Sequence, residues 1–260
     1  MRLRQVALIA HDLSSVVDDV RSVLGVEVCL TIADEIQMWG EEMVDEFGIS
    51  NAVFVVGDTF LEVISPRRDG TPAARYLELR GGDSGYMVLV QTDDLDRGRA
   101  RAESAGYRMV WQSPLKDVRG VHFDPRDIGG SLLSLEQPED ATEWPWAGYN
   151  WRAAARTDVT TEIVGVEVQA RDPSAAAAHW AGLLESVVSA NGDGCPEVVL
   201  DRGRVRFRQG DPARAEGVCG VEVRCVEPAE VLRRARDRGL PVTEDRVTIC
   251  GVAFRIMGTG

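Results

Sequence analysis

The chain has 260 residues, 44% hydrophobic and 27% charged, with a formal net charge of −13. That length suits two domains with cores of their own, and the apolar content is too high for a disordered chain. The acidic balance repels phosphate backbones and anionic lipid surfaces, which argues against nucleic acid and membranes as partners. The opening MRLRQVALIAHDL carries an apolar run too short for a signal peptide, and no window reaches the length of a membrane span. Five cysteines, Cys29, Cys195, Cys219, Cys225 and Cys250, are scattered with no CxxC pair. They predict a reduced, cytoplasmic protein with neither a disulfide framework nor a zinc knuckle.

In chain order, alternation over Gln5 to Ala10 predicts a strand. Asp12 then caps a helix with Val16, Val17, Val20, Val23 and Leu24 at helical spacing, ended by Gly25. The acidic stretch DEIQMWGEEMVDE holds Met38, Trp39 and Met43 among six carboxylates. It reads as a solvated loop or short surface helix, with an amphipathic flap as the alternative. Two strands joined by a Gly-Asp turn follow in NAVFVVGDTFLEVIS. The pattern then repeats. Tyr86 to Gln91 is a strand, Asp93 and Asp94 are cap candidates, Gly106 ends the helix, and strands follow from Tyr107, near Gly120 to Asp124, and near Ser131 to Glu136. Pro138 to Thr161 has no sustained period and reads as a linker whose tryptophans, Trp144, Trp146 and Trp151, pack on a domain surface. A third copy runs through TEIVGVEVQARDPSAAAAHWAGLLESV, with Asp172 as cap and Pro173 at the first helical position. A fourth begins at GVCGVEVRCVEPAEVLRRARDRGLPV.

The fold class that follows is α+β, built of four strand-helix-strand-strand-strand modules in two domains. Residues 1–140 form the first domain, 141–160 the linker, and 161–260 a second, degenerate domain of shorter modules. The stretches QVALIAHDL with VLGVEV, DTFLEVISP, GYMVLVQTDDL with AGYRMV, and HFDPRDIGGSLLSLEQP resemble the vicinal oxygen chelate superfamily. That superfamily includes glyoxalase I, methylmalonyl-CoA epimerase, extradiol dioxygenases and bleomycin-resistance proteins. The resemblance implies paired half-open barrels of βαβββ modules with a divalent metal in the cleft. It places Gln5, Glu62, Tyr86 and Ser134 at the positions that carry the metal ligands. Gln5 and Glu62 are the candidate ligands for Zn, Ni, Mn, Co or Fe. Neutral Tyr and Ser hydroxyls are poor partners for a hard divalent ion, so a degraded site with no tightly bound cofactor is the first expectation.

Glu62 sits mid-strand between Phe60 and Ile64, where a lone buried charge is costly unless it is paired, protonated or facing a wet cavity. It is the candidate base, with Tyr86 as its catalytic companion. Gln5, Ser134, His122 and Trp39 are the candidate ligand-binding residues. Alternation in the strand of His122 sets Val121 and Phe123 toward the core and leaves the histidine's role open. Arg67 and Arg68 stand ready for an anionic group or for solvent. The expected function is a glyoxalase-like protein that binds or transforms a carbonyl-containing or aromatic metabolite. If an enzyme, it is a lyase or isomerase acting by proton abstraction next to a carbonyl. A metal-dependent lyase, isomerase or epimerase is one alternative, and a non-catalytic resistance-type or assembly protein, with homodimerisation open, is the other.

Overall fold

A computed structural model describes residues 1–190, 192–210 and 215–259. The first module contains β1 (Arg2–Ile9), α1 (Leu13–Leu24), β2 (Glu27–Thr31), α2 (Ile32–Trp39), α3 (Glu41–Phe47), β3 (Ile49–Val56) and β4 (Thr59–Pro66). Helix α4 (Pro72–Arg80) leads to the second module: β5 (Ser84–Gln91), α5 (Leu95–Ala105), β6 (Met109–Gln112), β7 (Val118–Phe123), α6 (Pro125–Ile128) and β8 (Leu132–Pro138). After α7 (Trp151–Ala154), the third module contains β9 (Thr160–Ala170), α8 (Pro173–Leu183), β10 (Val188–Ala190), β11 (Pro196–Val199) and β12 (Arg204–Gln209). The fourth contains β13 (Gly217–Cys225), α9 (Pro228–Asp237), β14 (Val242–Thr243), β15 (Arg246–Ile249) and β16 (Val252–Gly258). The strands form two eight-stranded sheets, ordered β2-β3-β4-β1-β5-β8-β7-β6 and β10-β11-β12-β9-β13-β16-β15-β14. Neither sheet closes into a barrel, and together with the helices they give the α+β, tandem-βαβββ architecture expected from the sequence. Among the described residues no helix is long and apolar enough to cross a membrane.

The local signals act as their chemistry requires. Asp12 accepts from the Ser15 N–H at 3.0 Å and starts α1, and Asp172 does the same for α8 through Ala175. Gly25 ends α1 at φ 64, where a side chain is strained, and an added Cβ there would also meet Val159 Cγ2 at 2.6 Å. Helix α1 buries Val16, Val20, Val23 and Leu24, each worth roughly 1.5–3 kcal/mol when fully removed from water. The acidic stretch is helical in two short pieces, α2 and α3, separated at Gly40. Helix α4 was not marked by hydrophobic period. Its signal is the Thr71 cap followed by Pro72 at the first helical position.

Two compact units emerge from the packing. One contains Met1–Gln5, Tyr86–Pro145 and Val164–Cys219, and so brings the second module against the third. There Arg101 Nε donates to Leu183 O at 3.0 Å, and Trp180 Nε1 donates to Gly129 O at 3.2 Å. The other contains Val6–Gly85, Trp146–Ile163 and Gly220–Gly260, and brings the first module against the fourth. There α1 packs on α9, Thr160 Oγ1 donates to Leu24 O at 2.7 Å, and Cys250 Sγ donates to Ile9 O at 3.3 Å. Each module thus buries its helix against a module from the other half of the chain.

Candidate active site

In the unit of the first and fourth modules, β3 and β4 pair antiparallel with Asn51 opposite Ile64 and Val53 opposite Glu62. Opposed residues share a face, so Asn51 and Glu62 are diagonal neighbours on one side of the sheet. Helix α2 starts directly after β2. Its entry is pinned by Asp34, whose Oδ2 accepts from both the backbone N–H and the hydroxyl of Thr31 at 2.7 Å. That anchor turns Glu35 toward β3. Asn51 Nδ2 donates to Glu35 Oε1 at 2.7 Å and to Glu62 Oε1 at 3.2 Å, so one amide nitrogen joins two carboxylates. Glu35 and Asn51 are buried, while Glu62 is half-buried.

Burial, more than any other influence, pushes Glu35 from the ordinary 4.5 up to about 7. The Asn51 hydrogen bond pulls the other way, and the negative charges of Glu62 and Asp34 add to the rise. A site near the helix N-terminus favours an anion, yet loss of water outweighs it here. Around this pair, Trp39 meets Trp146 edge-on at 5.9 Å, and Phe60, on the face of Glu62, meets Trp151 edge-on at 5.2 Å.

The other unit holds Gln5, Tyr86, His122 and Ser134. Across β7 and β8, His122 opposes Ser134 and Gly120 opposes Glu136, which sets all four on one face. Leu135 lies on the opposite face and abuts Gly98 of α5. Val121 and Phe123 therefore lie toward the helix and His122 on the side away from it. There His122 stacks on Trp111 at 4.2 Å, and burial pushes its imidazole down to about 3, so it stays neutral at physiological pH. Ser134 Oγ bonds to Val121 O at 3.0 Å and to Glu136 Oε1. In β5, Leu89 is in register with Ser134, which puts Tyr86, three residues earlier, on the opposite face. Gln5 is buried, and its Oε1 accepts from Trp144 Nε1 at 2.6 Å.

The structure thus groups Glu62 with Glu35 and Asn51, groups His122 with Ser134 and Glu136, and ties Gln5 to Trp144. These donors do not fit a divalent ion. The carbonyl oxygen that Gln5 would offer is engaged by an indole N–H, the Ser134 hydroxyl is committed to a carboxylate and a carbonyl, and Tyr86 lies on the other face. Among the described residues no group of three or more His, Cys, Asp or Glu could hold a metal. The second sheet also buries carboxylates, Glu167 and Glu222, but arginines answer them. Arg208 lies 3.0 Å from Glu167, and Arg255 lies 3.7 Å from Glu222. Arg67 is paired with Asp45 of α3 at 2.7 Å, and Arg68 donates to the Asp45 carbonyl at 3.2 Å.

Three residues of these clusters escaped the sequence reading: Glu35, Asn51 and Glu136. The signal for Glu136 was present, because a strand period of two puts it on whichever face Ser134 occupies. Its carboxylate lies over Gly120, where an added Cβ would fall 2.0 Å from Glu136 Oε2. Gly120→Ala is therefore expected to displace that carboxylate and to destabilise the fold by about 1–3 kcal/mol. Urea unfolding checks this, and a variant as stable as the parent would show the contact to be slack.

Residues 6–184 match the family model described as a glyoxalase-like domain. An ethylmalonyl-CoA/methylmalonyl-CoA epimerase of Cereibacter sphaeroides is 27% identical over 142 residues, 52% of this chain and 97% of that protein. A mitochondrial methylmalonyl-CoA epimerase of Bos taurus is 25% identical over 140 residues, 52% of this chain and 74% of that protein. Among solved structures, a hypothetical protein from Staphylococcus aureus aligns over 99% of both chains with a TM-score of 0.69 at 10% identity. A mutant 4-hydroxymandelate synthase from Streptomyces coelicolor aligns over 92% of this chain and 75% of its own, with a TM-score of 0.66 at 16% identity. The structural likenesses establish the fold.

Proposed function

The chain belongs to the glyoxalase-like domain family, within the vicinal oxygen chelate superfamily, and on that footing we propose that it is an isomerase or lyase that removes a proton from a carbon next to a carbonyl. Glu35 is the base, and the charge of Glu62 and the shared amide of Asn51 set its proton affinity. The observation that carries this reading is a buried carboxyl held near pH 7 beside a second carboxylate. A base whose pKa lies near the working pH can both take and return a proton efficiently.

In the step, Glu35 takes the proton. The C–H electron pair becomes the C=C bond of an enol or enolate, and the carbonyl π pair moves to oxygen. Return of the proton to the other face or the neighbouring carbon completes epimerisation or isomerisation. The epimerase relatives support the class of reaction, since inverting a carbon beside a carbonyl needs that proton exchange. The proposed reaction needs no tightly bound metal, and its residues belong to the first module, in the unit that also contains Trp146–Ile163 and the fourth module. The setting is the cytoplasm and the partner a small molecule.

The test is solvent-deuterium exchange into the methylene protons of hydroxyacetone, followed by NMR. The full chain should speed exchange, and Glu35→Gln should lower that rate at least about 100-fold. Equal rates for the two proteins would remove Glu35 from the mechanism. The paired aromatics Trp39 and Trp146 favour a second reading, in which an aromatic ligand is held unchanged. Binding with no exchange in any carbonyl compound would select it.

A further inference from the structure

The acid pair is bridged by an amide that is only half used. Asn51 is 4% exposed. Its Nδ2 serves both carboxylates, while its Oδ1 is buried and has no hydrogen-bond partner among the described residues. Turning the amide over does not help. It would aim an acceptor at the Glu62 carboxylate and take the Nδ2 hydrogens away from both carboxyl groups, so the chemistry fixes which end faces where. A buried acceptor without a donor is rare in folded proteins and calls for a partner. The ion pairs nearby do not supply one. Arg67 and Arg68, which follow β4, are bound to Asp45.

We infer that the ligand of this site presents a hydrogen-bond donor, a hydroxyl or N–H on a neutral or cationic molecule, to Asn51 Oδ1, and that a carboxylate or phosphate group is turned away from that position. The inference rests on the acid pair being the site proposed above and adds the class of ligand it takes. With Glu35 ionised, the form that takes a proton, three acceptors converge here, the Glu35 and Glu62 carboxylates and the Asn51 carbonyl. A hydroxyl donates one hydrogen and satisfies the orphaned oxygen. An ionised carboxylate has nothing to donate, and it would add a negative charge beside Glu62 where little water remains to screen it. An acidic acyl group like that named for the epimerase relatives is therefore poorly matched to this position, although the proton-transfer chemistry is shared. A site built around a ligand hydroxyl also discriminates against an analogue that lacks it, because its own polar atom is then left unpaired.

Hydroxyacetone, butanone and pyruvate test this, being small ketones that end respectively in a hydroxyl donor, a methyl and a carboxylate. The isotope-labelled full chain is titrated with each at equal concentrations near neutral pH, and the Asn51 side-chain amide signals are followed by NMR. Hydroxyacetone is expected to move those signals with a Kd about tenfold below that of butanone, and pyruvate to leave them in place. The inference is overturned if pyruvate moves them as strongly as hydroxyacetone, if butanone matches hydroxyacetone, or if none of the three moves them. Selective binding of hydroxyacetone without deuterium exchange would uphold the ligand class and sink the proton-abstraction reading. Exchange together with equal binding of pyruvate would do the reverse.

Discussion

Glu35→Gln is expected to raise the free energy of unfolding by about 3 kcal/mol near pH 8 and to change it little near pH 4. The sign follows from the raised pKa. Below the ordinary value of 4.5, Glu35 is protonated in both the folded and unfolded states and carries no penalty. Between 4.5 and about 7 the unfolded chain releases the proton while the folded chain keeps it, so stability falls as pH rises. Above that window both forms are ionised, and the fold bears the cost of a buried charge. Glutamine keeps an oxygen for the Asn51 amide and cannot ionise, so the window disappears. Urea unfolding of both proteins across this pH range reads the effect directly. A variant that loses stability near pH 8 would mean that the carboxylate is a favourable partner in this network.

The second large effect is expected at Trp144. This side chain is fully buried, its Nε1 donates to Gln5 at 2.6 Å, and the Arg4 guanidinium lies 5.6 Å from its ring centroid. Trp144→Ala should cost about 3–5 kcal/mol through the cavity it leaves. Trp144→Phe keeps most of the volume and loses the N–H, so it should cost less, about 1–3 kcal/mol, from taking this donor away from the buried Gln5 oxygen. Denaturant unfolding of the pair separates packing from polar contact. An alanine variant as stable as the parent would show that the packing around this ring adds nothing to the stability of the fold.

The repeated modules were legible because their signals are local. Asp12 before α1, Gly25 after it, and Asp172-Pro173 before α8 each act on neighbours within one turn of helix. The face of Glu62 was legible too, since a charge amid Phe60 and Ile64 demands an answer. The answer itself was not. Glu35 lies in a stretch so rich in carboxylates that it reads as solvated, and nothing local says that α2 would be turned by Asp34 to lay Glu35 against a strand 16 residues on. Asn51 reads as an ordinary polar residue near a strand end. Its importance comes from pairing β3 with β4 and from α2 crossing above it, which are non-local facts. The packing of the first module on the fourth, and of the second on the third, is likewise invisible to a period-based reading, because each module reads alike. Tyr86 illustrates a smaller gap, in which a register shifted by one residue moves a side chain to the other face.

Glu35 is a buried acid poised near neutrality by its surroundings. Its carboxyl carbon can be titrated directly by NMR in the labelled chain, with Glu62→Gln alongside. A midpoint of about 7 is expected, lowered in the Glu62 variant because a neighbouring negative charge has been removed. A midpoint near the ordinary 4.5, unmoved by that substitution, would contradict it.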